Sequence, residues 1–216
     1  MITEISASIL AADPLNIEKA IYAIKKTGLT SLHIDIMDGH YVDNLALNFD
    51  LISAIEKTFP ELNLDIHLMV SQVDKALDLL KKNRPRSIFF HPKTSTRSLE
   101  IISRIQENSQ AGIAINPDEK IEYFFKYLPK VDHCLVMSVV PGRCGRPFQE
   151  SALTAIQNIY NQHPKCQLSI DGGINLKTLP KVQQLNIPIQ VVMGSGLVSI
   201  IDNQEQVNQV LSYIHQ

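Results

Sequence analysis

Residues 32–44 read LHIDIMDGHYVDN. The segment begins with the composition of a buried strand, except that it contains ionisable side chains. Apolar residues alternate there with His33 and Asp35. Residues two apart on a strand point to the same face, so the imidazole and the carboxylate share one side of the strand. The pattern therefore predicts a polar site on that side, and the fold decides where the site lies.

Similar short, β-branched apolar runs recur along the chain and alternate with amphipathic stretches about twice as long. The runs lack strict alternation, as expected for strands covered by protein on both faces. We predict strands at residues 5–10, 31–37, 62–69, 87–91, 112–116, 133–139, 167–171 and 190–193. Eight strand–helix units indicate one α/β domain over residues 1–216, a (β/α)8 (TIM) barrel. A doubly wound sheet is the alternative, because it needs no closure.

The composition excludes several classes of protein. Charged residues make up 19% of the chain and the net charge is −2, so nothing favours nucleic acid or a membrane surface as a partner. No apolar stretch reaches the roughly 18 residues of a membrane span, and the N-terminus lacks the features of a signal peptide. Three scattered cysteines form neither a disulfide framework nor a CxxC pair. We therefore expect a cytoplasmic protein.

In (β/α)8 barrels, the chemistry takes place at the C-terminal ends of the strands. His33 and Asp35 lie near the end of the second predicted strand, His67 near the end of the third, and Asp171 at the end of the seventh. Any one of them alone could be a hydrogen-bonded interior residue. Together they suit Zn²⁺, Fe²⁺, Mn²⁺ or Co²⁺ better than Mg²⁺ or Ca²⁺, and a cation would satisfy all four.

Two other ionisable residues near these strand ends receive no catalytic role. Asp65 shares a face with His67 but lies deeper in the strand, so we interpret it as structural. His91, at the end of the fourth predicted strand, has no comparable sequence context.

Glycines follow the last three predicted strands, where barrels often bind phosphate through backbone N–H groups. Glycine lets the backbone approach an anion closely. The positions are Gly142 and Gly145 after the sixth strand, Gly172 and Gly173 after the seventh, and Gly194 with Ser195 after the eighth. Their combination predicts a phosphorylated substrate, although any one glycine pair is more often only a turn.

Six motifs occur in order, each at a predicted strand end: SIL (8–10), HIDIMDGH (33–40), DIHLMV (65–70), MSVVPG (137–142), DGGI (171–174) and MGSG (193–196). With these motifs the chain resembles ribulose-phosphate 3-epimerases from end to end. The resemblance implies a barrel of the ribulose-phosphate-binding type, with a metal held by His33, Asp35, His67 and Asp171. It also implies that Asp35 and Asp171 are the acid–base pair that interconverts D-ribulose 5-phosphate and D-xylulose 5-phosphate at C3.

The chemistry requires such an arrangement. Inverting a carbon beside a carbonyl means removing its proton from one face and returning one to the other, which two carboxylates can do. The resulting enediolate needs its oxyanion neutralised, and a divalent ion would do this as a Lewis acid. We expect one such ion, Zn²⁺ or Fe²⁺ first, with Mn²⁺ or Co²⁺ as alternatives.

The resemblance also implies the substrate contacts. Met37, Met69 and Met137 would line the cavity over the enediolate, where a polarisable sulfur excludes water. Core filling is the alternative for each methionine, and an interior hydroxyl is the alternative for Ser8. The complete predicted set is Ser8, Met37, His67, Met69, Met137, Gly142, Arg143, Cys144, Gly145, Gly172, Gly173, Gly194 and Ser195.

The chain departs from the family pattern in two loops. Residues 141–148 read PGRCGRPF where the family usually has PGFGGQ, so Arg143 replaces an aromatic residue, Cys144 a small residue and Arg146 a glutamine. Asp43 stands where the family usually has proline. The affected loops are expected to close over a small ketose phosphate. Allulose-6-phosphate 3-epimerase and a non-catalytic sugar-phosphate-binding barrel therefore stay open as alternatives, as does a homo-oligomer.

Overall fold

Eight parallel strands form a closed barrel in the computed structural model, which describes residues 1–214. Each strand pairs with its neighbours in chain order, and β1 pairs with both β2 and β9, which closes the barrel. The short β3 runs antiparallel to the end of β2. The strands are β1 (Ile2–Ser8), β2 (Ser31–Asp38), β3 (Leu45–Ala46), β4 (Asn63–Met69), β5 (Ser87–Phe90), β6 (Gln110–Ile115), β7 (His133–Met137), β8 (Gln167–Asp171) and β9 (Ile189–Met193). The predicted (β/α)8 barrel is confirmed, and closure rules out the doubly wound alternative.

The helices surround the barrel and bury one apolar face each against the strands. In α4, for example, Ile101, Ile102 and Ile105 are buried, which is the spacing of one helical face. The helices are α1 (Ile17–Lys26), α2 (Phe49–Thr58), α3 (Val73–Leu80), α4 (Ser98–Gln106), α5 (Ser151–Gln162), α6 (Leu179–Gln183), α7 (Ser195–Val198) and α8 (Gln204–Leu211). Within residues 1–214, none of them combines the length and the apolar character that crossing a bilayer requires.

The connection between β6 and β7 differs from the prediction of eight strand–helix units. It contains two short 3₁₀ helices, Ile121–Phe124 and Leu128–Lys130, and no α-helix. Pro129 lacks an N–H group and its ring would clash with the carbonyl four residues earlier, so this segment cannot continue as one regular helix. Phe124 and Leu128 are nevertheless buried and cover the barrel as helix residues would.

The barrel interior has its own apolar cluster, separate from the layer between strands and helices. It contains Phe89, Ala114, Leu135, Met137, Val139 and Val192. Gly112 makes room for the Phe89 ring, because a Cβ at that glycine would lie 2.2 Å from a ring carbon. Side chains thus fill the centre of the barrel, which is a packed core and not a pore.

An ion-pair network occupies the N-terminal end of the barrel. Arg86 Nε donates to Asp65 Oδ1 at 2.9 Å, and Arg86 Nη1 donates to both carboxylate oxygens of Glu4 at 2.9 and 3.0 Å. Gln190 Nε2 bridges the two carboxylates with bonds of 3.0 Å. Burial would raise the pKa of Asp65, but the hydrogen bonds and charge of Arg86 lower it overall. Asp65 therefore has the structural role that its depth in the strand suggests.

We expect Arg86→Met to lower the free energy of unfolding by about 3–5 kcal/mol at pH 7, because it leaves Asp65 as a buried charge without its partner. Urea unfolding followed by circular dichroism measures the loss. Lys25→Met is the matched control: it removes the cation of the exposed Lys25–Glu61 pair and should have little effect. Equal stability of the two variants would contradict a structural role for the network.

Candidate active site

Four ionisable side chains meet at the C-terminal end of the barrel. His33 and Asp35 come from β2, His67 from β4 and Asp171 from β8, and each offers one atom to a group whose members all lie within 4.8 Å of one another. His33 Nε2 is 3.5 Å from Asp35 Oδ1 and 4.0 Å from Asp171 Oδ2, and His67 Nδ1 is 3.1 Å from Asp35 Oδ1. The structure thus brings together the four residues predicted as metal ligands.

The strand register explains this convergence. Asp35 is paired directly with His67 across β2 and β4, and Ser8 with His33 across β1 and β2. Ser8 Oγ donates a 3.0 Å hydrogen bond to Asp35 Oδ2. Ser8 therefore orients one carboxylate of the site as well as lying at its edge.

The four groups carry opposed charges in a space with little solvent. Burial would lower the pKa of His33, but the negative charge of Asp35 raises it to about 9. Burial would raise the pKa of Asp35, but His33 and His67 hold it well below its usual range. At Asp171, burial raises the pKa to about 7; the His33 charge opposes this rise and the Asp35 charge adds to it. Positive charge is thus strongly favoured between the carboxylates.

These residues fit a divalent transition ion. Within residues 1–214, neither ring nitrogen of His33 has a hydrogen-bond partner, although the ring is buried. A buried polar atom without a partner is costly, and His33 Nε2 faces both carboxylates. Two imidazole nitrogens and two carboxylate oxygens are a donor set suited to Zn²⁺, Fe²⁺, Mn²⁺ or Co²⁺.

The structure adds two residues that sequence reasoning missed, His91 and Tyr41. His91 follows β5, and its Nε2 lies 2.9 Å from His67 Nε2. The Tyr41 ring packs on His91 with centroids 4.6 Å apart, and Tyr41 Oη accepts a 2.8 Å hydrogen bond from Asn116 Nδ2. Burial lowers the pKa of both His67 and His91, which favours the neutral form of each imidazole. The one available signal was position, since His91 stands at a strand end.

Asp38 holds the loop that carries Tyr41. Its Oδ1 accepts from the backbone N–H groups of His40 and Tyr41 at 2.9 Å each, and its Oδ2 accepts from the N–H and hydroxyl of Ser71 at 2.7 Å each. Burial opposes the shift, but these hydrogen bonds lower the pKa of Asp38. Asp38 thus links the loops after β2 and β4.

A cavity opens to solvent above the four ionisable residues. It is lined by every residue predicted to contact substrate except His67, which lies fully buried beneath it. These residues are Ser8, Met37, Met69, Met137, Gly142, Arg143, Cys144, Gly145, Gly172, Gly173, Gly194 and Ser195. The three methionines are buried and form an apolar wall beside Asp35 and Asp171.

Two loops meet over the cavity. Asn44 Nδ2, in the loop after β2, donates a 2.8 Å hydrogen bond to the carbonyl oxygen of Gly142, in the loop after β7. Gly142 has a φ of 107°, and a Cβ there would lie 3.0 Å from Val42 Cβ. Glycine is therefore required both for the backbone conformation and for the close approach. The two loops form one cover over the site.

The residues that depart from the family pattern lie in this cover. Arg143, Cys144 and Arg146 are exposed and line the cavity mouth. Asp43 is exposed and directly precedes Asn44, which bonds to Gly142. All four changes therefore affect the rim and leave the four buried ionisable residues intact.

Comparison with known proteins agrees with this geometry. Residues 4–198 match the model of the ribulose-phosphate 3 epimerase family. The ribulose-phosphate 3-epimerase of Schizosaccharomyces pombe is 32% identical, over 82% of this chain and 78% of its own. That of Aquifex aeolicus is 30% identical, over 96% of this chain and 95% of its own, and that of Eremothecium gossypii is 28% identical, over 97% and 90%.

Solved structures support the fold alone. The 3-hexulose-6-phosphate synthase of Salmonella typhimurium superposes with a TM-score of 0.72 at 14% identity, covering 99% of both chains. The tryptophan synthase of Mycobacterium tuberculosis gives 0.71 at 12% identity, covering 100% of this chain and 93% of its own. Together with the family match across the barrel, the sequence relatives show that this chain is an isomerase that belongs to the ribulose-phosphate 3-epimerase family.

Proposed function

We propose that this protein is a metal-dependent 3-epimerase that interconverts D-ribulose 5-phosphate and D-xylulose 5-phosphate by two-base proton transfer at C3. The observation that carries the proposal is that Asp35 and Asp171, from β2 and β8, line one cavity and lie in one cluster with His33 and His67, which are buried beneath it. Both carboxylates are within reach of a substrate seated in that cavity. The relatives named ribulose-phosphate 3-epimerases support the choice of substrate.

Asp35 and Asp171 are the proposed acid–base pair. One carboxylate removes the C3 proton while the other delivers a proton to the opposite face, and the roles exchange in the reverse direction. Ser8 keeps Asp35 oriented through its hydrogen bond. Asp171 is the more accessible of the two, since its side chain is 16% exposed against 5% for Asp35.

His33, Asp35, His67 and Asp171 would hold one divalent ion, Zn²⁺ or Fe²⁺ first, with Mn²⁺ or Co²⁺ as alternatives. When bound, such an ion supplies Lewis-acid neutralisation of the negative charge that develops on the substrate oxygens. The chain contributes the rest of the environment. Met37, Met69 and Met137 exclude water from the reacting carbon without offering a competing hydrogen bond.

The glycines on the far side of the cavity are the proposed phosphate contacts. Gly172, Gly173 and Gly194 line the cavity and have no side chains, so an anion can approach their peptide groups closely. Cys134, Cys144 and Cys166 are free thiols, which accords with the proposed location in a reducing cytoplasm.

Removal of metal should abolish activity. We expect exhaustive chelation to inactivate the enzyme and Zn²⁺ or Fe²⁺ to restore it, because the buried carboxylates and imidazoles lose their shared cation. His67→Ala should lower both metal content, measured by mass spectrometry of the purified protein, and rate. His163→Ala, which alters a histidine at the end of α5, is the control and should leave both unchanged. Full activity in metal-free protein would contradict the site.

The two carboxylates should be separately essential. In deuterated water, the product should carry deuterium at C3, because different acids remove and return the proton. Asp35→Asn and Asp171→Asn should each lower net epimerisation at least about a hundredfold, even at saturating Zn²⁺. We expect one of the two variants to retain exchange of the substrate's own C3 hydrogen, seen by proton NMR. Normal epimerisation by both variants would exclude the two-base mechanism.

The arginines of the cover should affect substrate binding. We propose that Arg146 makes a charge-assisted contact with the substrate phosphate, worth about 1.5–3 kcal/mol. Arg146→Gln should therefore lower kcat/KM by roughly tenfold to a hundredfold, with a smaller loss for Arg143→Phe, and added salt should reduce the difference. Unchanged kinetics in both variants at low and moderate ionic strength would leave both arginines as solvated loop residues.

The same kinetic assay decides between the substrates. Ribulose 5-phosphate and allulose 6-phosphate should be compared side by side with wild-type protein. A higher kcat/KM for the pentulose phosphate supports the proposal. A higher kcat/KM for the hexulose phosphate would indicate that the altered cover accommodates the longer sugar. Turnover of neither would favour a binding protein.

A further inference from the structure

His91 contacts His67, a proposed metal ligand, and does not line the cavity. Its ring is buried, and its Nε2 is 2.9 Å from His67 Nε2. The two rings lie with centroids 5.1 Å apart and an interplanar angle of 37°. When two neutral imidazole nitrogens are this close, one must carry the proton and the other must present its lone pair.

The position of the proton on His67 also decides whether its other ring nitrogen, Nδ1, can present a lone pair. His67 Nδ1 lies 3.1 Å from Asp35 Oδ1 and is the atom of the ring that faces the proposed ion. Without an ion, the Nδ1–H of His67 can donate a hydrogen bond to Asp35, and His67 Nε2 can accept one from the Nε2–H of His91. With an ion, Nδ1 would present its lone pair, so His67 would carry its proton on Nε2 and donate a hydrogen bond to His91 Nε2. Both rings stay neutral in both arrangements.

The surroundings of His91 allow it either to donate or to accept the hydrogen bond with His67. Within residues 1–214, His91 Nδ1 has no hydrogen-bond partner, so no other group dictates which of its nitrogens carries the proton. The Tyr41 ring packs on His91, and the hydrogen bonds of Tyr41 to Asn116 and to Asp38 hold that ring in place. His91 is thus fixed in position but not in tautomer.

We propose that His91 is a positioning residue that accepts a hydrogen bond from the Nε2–H of His67 and thereby holds His67 in the tautomer whose Nδ1 binds the metal. The inference rests on the proposed metal site. A partner that orients the second nitrogen of a metal-binding histidine typically changes metal affinity by 10–100-fold. His91 should therefore affect the affinity for metal, whereas it touches neither the substrate cavity nor the carboxylates.

The test measures Zn²⁺ affinity of apo-protein by competition with a chromophoric chelator. His91→Phe keeps a ring beneath Tyr41 but removes the acceptor, and should weaken Zn²⁺ binding about tenfold to a hundredfold. His91→Gln, whose carbonyl oxygen can accept, should bind within about threefold of wild type. His133→Phe is the matched control: His133 is also a buried histidine, but it lies at the start of β7 and neither of its ring nitrogens has a partner within the described residues, so this variant should bind as wild type does.

A spectroscopic measurement on wild-type protein makes the test independent of the variants' folding. In ¹⁵N-histidine-labelled protein loaded with Zn²⁺, His67 should show a metal-bound Nδ1 and a protonated Nε2. Unaltered Zn²⁺ affinity in folded His91→Phe, or an unprotonated His67 Nε2 in the loaded wild type, would overturn the proposal. Failure of the wild type to bind Zn²⁺ at all would instead overturn the metal site itself.

Discussion

The parallel register of β2 against its two neighbours is the constraint on which the site depends. It sets Ser8 beside His33 and Asp35 beside His67, and barrel closure then brings Asp171 of β8 within 4.0 Å of His33. A shift of one residue in that register would turn Asp35 out of the barrel, because strand side chains alternate between faces. The backbone hydrogen bonds that set this register therefore determine which side chains meet at the C-terminal end of the barrel.

The two ends of the barrel treat buried charge in opposite ways. At the N-terminal end, Arg86 neutralises Asp65 and Glu4 directly, and Gln190 completes their hydrogen bonds. At the other end, the carboxylates of Asp35 and Asp171 face a histidine whose ring nitrogens lack partners within the described part of the chain. The first arrangement is complete within the protein and stabilises it. The second is suited to a ligand that carries positive charge, which is why the same kinds of residue act structurally at one end and functionally at the other.

The cover over the cavity departs from the family pattern, whereas the four ionisable residues beneath it match that pattern. The four ionisable residues lie on strands, where packing and register hold them rigidly. Arg143, Cys144 and Arg146 lie on a loop, where exposed side chains can change without disturbing the barrel. The departures of this chain from the family pattern therefore lie in the cover, and they leave the four ionisable residues beneath it in place.

The sequence by itself determined the barrel, the eight strand positions and the four residues that meet at its mouth, because local periodicity marks strands and the parallel fold collects their C-terminal ends. It did not determine that His91 contacts His67, that Tyr41 packs on His91, or that Arg86 pairs with Asp65. Those contacts join residues of different strands and loops, and their distances depend on barrel closure and side-chain rotamers, which periodicity does not report. Pro129 opposes one regular helix between β6 and β7, but only packing decided that Phe124 and Leu128 cover the barrel from two 3₁₀ helices.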